Sequence, residues 1–164
     1  MIVTRIQIEP YVAQYYMSMY WDREAGGVHF PTGSDIYVTI YDLMQKRPAG
    51  VGLDSGNFPI VLPDRRDANR AGGKSPEQFN YLSHRAASII GKRLKIAFWA
   101  QVHELMDEQR HLHGLDYKDI VYQFMLRHSI TGISEEGVLK NYQRWRDSLR
   151  RTAKRSYSHY RKKG

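Results

Sequence analysis

The chain contains no cysteine. This absence excludes disulfides, thiolate metal ligands and a cysteine nucleophile, and it suits the reducing cytosol. Long apolar runs are missing as well, since no segment approaches the roughly 20 apolar residues of a membrane helix. Met1 leads directly into Ile-Val-Thr-Arg, which lacks the basic start and apolar core of a signal peptide. We therefore expect a cytoplasmic protein with no membrane partner.

Acidic residues are nearly absent from the last 25 residues. Residues 140–164 contain ten Lys and Arg but one acid, Asp147, whereas residues 1–139 contain 15 Lys and Arg against 16 Asp and Glu. The whole net charge of +8 is thus carried by one end of the sequence. This asymmetry favours a polyanionic partner, and we expect nucleic acid, with DNA favoured over RNA, rather than an anionic membrane surface. A solvated basic tail that only aids solubility is the simpler alternative.

The remaining composition is that of an ordinary globular protein. The chain has 164 residues, of which 41% are hydrophobic and 26% charged, enough to build a core without disulfides or a metal. We predict a single domain over residues 1–164, in which residues 150–164 form a basic helix end or tail.

Three short segments have strand character. Residues 4–9 alternate apolar and polar side chains, the period-two pattern of a half-buried strand. Residues 28–30 and 58–62 are further short strand candidates, and Pro59 and Pro63 favour a sheet edge for the last of them. We predict that the three segments form a small antiparallel sheet.

Helical periodicity covers most of the rest. Apolar side chains recur at helical spacing in residues 11–21, 34–47, 76–110, 116–127 and 134–151. The third helix is predicted to begin at Ser75-Pro76-Glu77-Gln78, which combines an N-cap serine, a proline in the first turn and a capping-box glutamine. The predicted fold class is therefore α+β and helix-dominated, with a long central helix and a C-terminal helix pair.

The last helix separates apolar from cationic side chains. Its predicted buried stripe consists of Val138, Leu139, Tyr142, Trp145 and Leu149. Its basic residues follow other faces, and we expect them to bind nucleic acid: Lys140, Arg144, Arg146, Arg150, Arg151, Lys154, Arg155, Arg161, Lys162 and Lys163. Arginine pairs with phosphate through a planar fork, and the aromatic residues between the final cations suit base stacking.

The C-terminal helix pair has some features of a helix-turn-helix. Its first helix is short, and Gly132 lies in the connection. Two features oppose a groove-reading recognition helix. The connection is longer than the usual three or so residues, and Glu135 and Glu136 lie at the helix start that would meet DNA. Plain packing of two helices, with the basic helix on the nucleic-acid backbone, is the favoured interpretation.

Residues 68–75 resemble a P-loop. The segment ends in Lys74 and Ser75, but Ala68 replaces the first glycine and no strand runs directly into it. Pro76 removes a backbone N–H at the predicted helix start. We therefore expect a loop that ends in the capping box, with no nucleotide cofactor.

A histidine-rich stretch lies at the end of the predicted central helix. His103-Glu104-Leu105-Met106-Asp107 has an aspartate where the zinc-protease motif requires its second histidine. The side chains of His103, Glu104, Asp107, His111 and His113 could gather around a metal, but a solvated helix edge is the simpler interpretation. We predict no metal site.

Four short segments resemble a family of small basic proteins. They are Phe30-Pro31-Thr32-Gly33-Ser34, Phe79-Asn80-Tyr81-Leu82, Met125-Leu126-Arg127-His128-Ser129-Ile130 and Tyr142-Gln143-Arg144-Trp145-Arg146. Together they resemble small basic conserved hypothetical proteins of gut-bacterial genomes and of their phages and mobile elements. The resemblance implies a phage or mobile-element context, in which small DNA-binding proteins are frequent, and it implies no catalytic or binding residue.

These features together favour a non-enzymatic protein that binds DNA through its last helix, in a regulatory or architectural role. RNA binding by the same surface is one alternative. Another is a structural or protein-interaction module with a solvated basic tail, whose contact face would be the aromatic helix of residues 11–21. No segment supplies a complete set of catalytic groups, so we predict that the protein is not an enzyme.

Overall fold

Five helices and four short strands make up the described part of the chain. The computed structural model describes residues 1–52, 54–64 and 73–163, and for residues 160, 162 and 163 the backbone only. The strands are β1 (Val3–Ile6), β2 (Trp21–Asp22), β3 (Gly27–Val28) and β4 (Phe58–Val61). The helices are α1 (Pro10–Tyr20), α2 (Asp35–Leu43), α3 (His84–His113), α4 (Tyr117–Arg127) and α5 (Glu135–Lys163). The predicted helix-dominated α+β class is confirmed.

The sheet is mixed rather than antiparallel throughout. Its strand order is β1-β4-β3-β2; the outer pairs are antiparallel, whereas β3 and β4 are parallel. β4 therefore lies inside the sheet, and the edge position predicted from its prolines was wrong. Leu62 N donates to Ile2 O, which makes Arg5 and Pro59 a non-hydrogen-bonded pair. The proline nitrogen consequently faces β3, which is two residues long and pairs with β4 at one position.

The central helix begins later than predicted. α3 starts at His84 with Ser83 as its N-cap, and not at Pro76. The segment from Pro76 makes a single turn and then extends, so that Tyr81 pairs with Gln45 in an isolated antiparallel bridge. Because this pairing is made between distant parts of the chain, the local capping pattern does not reveal it.

One continuous cluster of buried side chains joins the sheet to all five helices. α3 runs through it and buries a residue at every fourth position: Ala86, Ile90, Leu94, Phe98, Val102 and Met106. Phe98 is fully buried, and its ring centroid lies 5.2–6.1 Å from those of Tyr11 and Tyr15 on α1 and Phe124 on α4. Aromatic pairs at such separations stabilise a core beyond the area that they bury.

Helix α1 fixes the connection between α4 and α5. Gln14 Oε1 accepts from the backbone N–H groups of Thr131 and Gly132, both at 2.9 Å, and Gln14 Nε2 donates to Thr131 Oγ1 at 2.8 Å. Gly132 lies so close to α1 that a Cβ atom there would be 2.8 Å from the backbone nitrogen of Tyr11. These contacts set the point at which α5 begins.

Replacing Gly132 with alanine should destabilise the protein, because the added methyl group would collide with α1 backbone that cannot rotate away. We expect the free energy of unfolding to fall by about 1–3 kcal/mol. Gly52→Ala is the matched control, because no atom lies within 4 Å of its Cβ position. Urea unfolding followed by circular dichroism measures both variants, and an unchanged midpoint for Gly132→Ala would contradict the close approach.

Candidate nucleic-acid interface

The basic helix α5 is one continuous helix of 29 residues. Ser134 caps it, since its Oγ accepts from Gly137 N at 3.0 Å. Glu135 and Glu136 occupy the first turn, where negative charge complements the positive end of the helix dipole. The helix continues past Arg151, its predicted end, and residues 150–163 of the predicted basic tail are helical.

Only the first half of α5 packs against the rest of the protein. Val138 and Tyr142 are buried, and Trp145 is half-buried against the core. Leu149 was predicted to be buried but is 52% exposed, because the buried cluster ends along α5 at Trp145, one turn earlier. Every described side chain from Asp147 onwards is exposed. With a rise of about 1.5 Å per residue, α5 extends about 25 Å beyond the packed body.

Most of the predicted binding residues lie on the outer part of α5. Six of them are exposed and have no acidic partner in the described ranges: Arg144, Arg150, Arg151, Lys154, Arg155 and Arg161. Lys140 is exposed but has a partner, since its Nζ lies 2.9 Å from Oε1 of Glu136. The side chains of Lys162 and Lys163 lie outside the described residues, although both are in the helix.

Arg146 fastens α5 to two other helices. Its Nη1 donates to the Tyr142 hydroxyl at 3.0 Å, and it lies 3.4 Å from both Asp107 Oδ1 on α3 and the Tyr117 hydroxyl on α4. The Tyr142 hydroxyl also donates to Asp107. Burial and the bond to Asp107 raise the pKa of Tyr142, and the bond to Tyr142 raises the pKa of Arg146. The tyrosine therefore stays neutral and the arginine charged, and Arg146 is a structural residue as well as a predicted binding residue.

His103 joins α3 to α5. Its ring stacks on that of Trp145, with centroids 4.5 Å apart and planes 20° apart, and Trp99 lies 5.8 Å away. Nε2 lies 2.7 Å from Oδ1 of Asn141, so the neutral ring donates to that oxygen. Burial lowers the pKa of His103, although the Asn141 bond and the charge of Asp107 oppose the shift. The ring is therefore neutral at pH 7.

The other two sequence patterns lack the geometry of a site. His103 is buried, whereas His111 and His113 are exposed in the last turn of α3, and the described ranges hold no group of three His, Asp or Glu side chains that could bind a metal. Residues 68–72 of the P-loop pattern lie outside the described residues. Its Lys74 Nζ donates to the Asp42 carbonyl at 2.8 Å, at the C-terminal end of α2, and no helix follows directly.

The aromatic face of α1 belongs to the core. Tyr11, Tyr15 and Tyr16 are buried, so the contact face predicted for the protein-interaction alternative is already covered. Met19 and Trp21 are partly exposed at the far end. These two side chains alone do not make a continuous apolar surface.

The α4–α5 pair differs from a helix-turn-helix in its connection. Residues 128–134 form a seven-residue link, which α1 holds in place. The unpaired cations begin at Arg144, more than two turns after the helix start, whereas recognition helices contact bases through their N-terminal residues. This placement suits contact with the phosphate backbone along the length of α5.

No family model, curated protein or solved structure matches the chain. The charge and packing of α5 are therefore the observations on which a functional assignment depends. Among the described helices, none contains a stretch long and apolar enough to cross a membrane.

Trp145 and Leu149 should contribute differently to stability, although both lie on the predicted apolar stripe. Trp145→Ala should lower the free energy of unfolding by about 2–3 kcal/mol, less than the 3–5 kcal/mol of a fully buried tryptophan, because Trp145 stacks on His103 but is half-exposed. Leu149→Ala should change it by less than about 0.5 kcal/mol. Thermal unfolding of both variants measures this, and a larger loss for Leu149→Ala would mean that α5 packs further along its length.

Acid should destabilise the fold through two histidines. Burial lowers the pKa of His103, and burial together with Arg127 lowers that of His128. The unfolded chain therefore binds protons more readily, and stability should be constant above about pH 6.5 and fall below it. His103→Gln should reduce the loss of stability between about pH 7 and pH 5.5, whereas the exposed control His111→Gln should not. Urea unfolding at several pH values measures this, and an equal loss in His103→Gln and wild type would contradict a buried neutral His103.

Proposed function

We propose that the protein binds nucleic acid, DNA in preference to RNA, through the exposed cations of α5, in a non-enzymatic regulatory or architectural role. The observation that carries the proposal is the set of six exposed, unpaired cations on one helix. Several of them repel each other across one helical turn, for example Arg150 with Lys154 and Arg151 with Arg155. A polyanion converts this repulsion into attraction and releases the counterions that surround its phosphates.

The dimensions of α5 suit a DNA duplex. Its outer part is about 25 Å long, which is shorter than one turn of B-DNA at about 34 Å. Every described side chain beyond Asp147 is exposed, so this part can approach a duplex from several sides. A helix whose cations contact phosphates on both sides of a groove must lie in that groove, and the major groove of B-DNA admits one α-helix, whereas the deep, narrow major groove of A-form RNA does not. This difference supports DNA over RNA.

Neutralising two outer cations should weaken binding and reduce its salt dependence. If the six unpaired cations contact phosphates, the slope of log K against log salt should be near −5, and Arg151→Gln with Arg155→Gln should change it by about +2. Arg85→Gln with Lys92→Gln is the matched control, because both are exposed cations of α3 with no acidic partner among the described residues. Fluorescence anisotropy with a labelled random-sequence duplex at several salt concentrations measures all three proteins.

The same measurement separates the alternatives. A slope near zero for the wild type, or equal effects of the two double variants, would overturn the proposal. Tighter binding to a structured RNA than to the duplex at equal salt would reverse the preference for DNA. A loss on one duplex sequence only would mean that α5 reads base edges, where one arginine contact discriminates by about 1–3 kcal/mol.

A further inference from the structure

A small polar cleft opens between the start of α4 and the middle of α5. Its volume is about 280 Å³, and it is lined by Tyr117, Tyr142, Gln143, Arg146, Asp147 and Arg150. One water occupies about 30 Å³ of bulk liquid, so the cleft has room for a phosphate group and several waters. It lies where α5 leaves the packed body, next to the first cations of the outer segment.

Arg146 presents a fixed guanidinium to this cleft. All of its hydrogen bonds use Nη1, to Tyr142, Asp107 and Tyr117. Its Nε and Nη2 groups have no partner within the described ranges. A guanidinium that is already held loses little freedom when it binds, and its two parallel N–H groups match two oxygens of a phosphate. The six unpaired cations of α5 have no such acidic partner among the described residues.

Neutral donors complete the lining. The single proton of the Tyr142 hydroxyl is donated to Asp107, so Tyr142 cannot also donate to the Tyr117 hydroxyl 3.2 Å away. The Tyr117 proton is therefore available either to Tyr142 or to a group in the cleft. The carboxamide of Gln143 has no partner in the described part of the chain and adds a second neutral donor.

We propose that this cleft binds one phosphate group of the nucleic-acid backbone, between Arg146 and Arg150, and that this contact fixes where the strand enters the basic face of α5. The inference rests on the proposed nucleic-acid function. Asp147 also lines the cleft, and its carboxylate opposes an anion there. A phosphate delivered by a long polyanion, which the whole of α5 attracts, overcomes that opposition more readily than a free phosphate ion does.

The first test compares two arginines of the same helix on a labelled duplex, with the full chain. Arg150→Gln should weaken binding about tenfold or more, the effect of losing a charge-assisted contact. Arg155→Gln removes the same charge away from the cleft and should weaken binding only about two- to threefold, as an ordinary exposed contact does. Gln143→Leu should also weaken binding although it changes no charge. Asp147→Asn should tighten binding more than Glu135→Gln, which removes an acid at the start of α5.

Equal losses of duplex affinity for Arg150→Gln and Arg155→Gln would overturn the proposed phosphate site and leave the proposed function standing. The second test titrates the isotope-labelled protein with inorganic phosphate, using chloride at equal ionic strength as the control. Phosphate should shift the amide signals of Tyr117, Gln143 and Arg150, and the shifts should disappear in Arg150→Gln. If the wild type binds no duplex, the proposed function fails. In that case, amide shifts caused by inorganic phosphate would still support a phosphate site in the cleft, and the absence of such shifts would overturn the site.

Discussion

The ring of Phe98 is the contact on which the arrangement of the helices depends. It is fully buried in the middle of α3, and rings from α1 and α4 pack directly against it. The next ring along α3, Trp99, continues the series through His103 to Trp145 on α5. Aromatic side chains bury large areas with few rotatable bonds. A single line of rings therefore places four helices and leaves the far half of α5 uncovered.

Charge is divided between the two parts of the molecule as sharply as packing is. The residues that build the body, 1–139, carry a net charge of −1, whereas the 25 residues that follow carry +9. The positive charge of the molecule is therefore concentrated on α5. Within α5 the packed segment ends and the exposed cationic segment begins near Arg146. This residue belongs to both segments, because it binds Tyr142 and also lines the cleft.

Local patterns predicted the features that depend on neighbours in the sequence. The bounds of α1 and α4 were predicted to within one residue, because each depends on residues within one or two turns. The interior position of β4 and the late start of α3 were missed, because they depend on pairings with Val28 and Gln45 that are distant in sequence.

The candidate site shows the same division between local and distant information. The cationic face of α5 follows from helical spacing alone. The exposure of Leu149 and the partners of Arg146 do not, because they depend on where α3 and α4 end relative to α5. The apolar pattern continues to Leu149 although the buried cluster ends at Trp145, and no signal in the sequence marks that limit.

The uncovered half of α5 has a consequence for how this protein can evolve. Core positions such as Phe98 must keep their shape, because the loss of even one methylene group destabilises a closely packed interior. Beyond Asp147 every described side chain is exposed, so these positions are free of that constraint, with the exception of Arg150, which lines the cleft. Selection there acts on the total positive charge rather than on individual residues. Lysine can replace arginine and cations can exchange positions, provided that the helix and its positive charge are kept. Related chains should therefore differ most in sequence, and least in charge, along this segment.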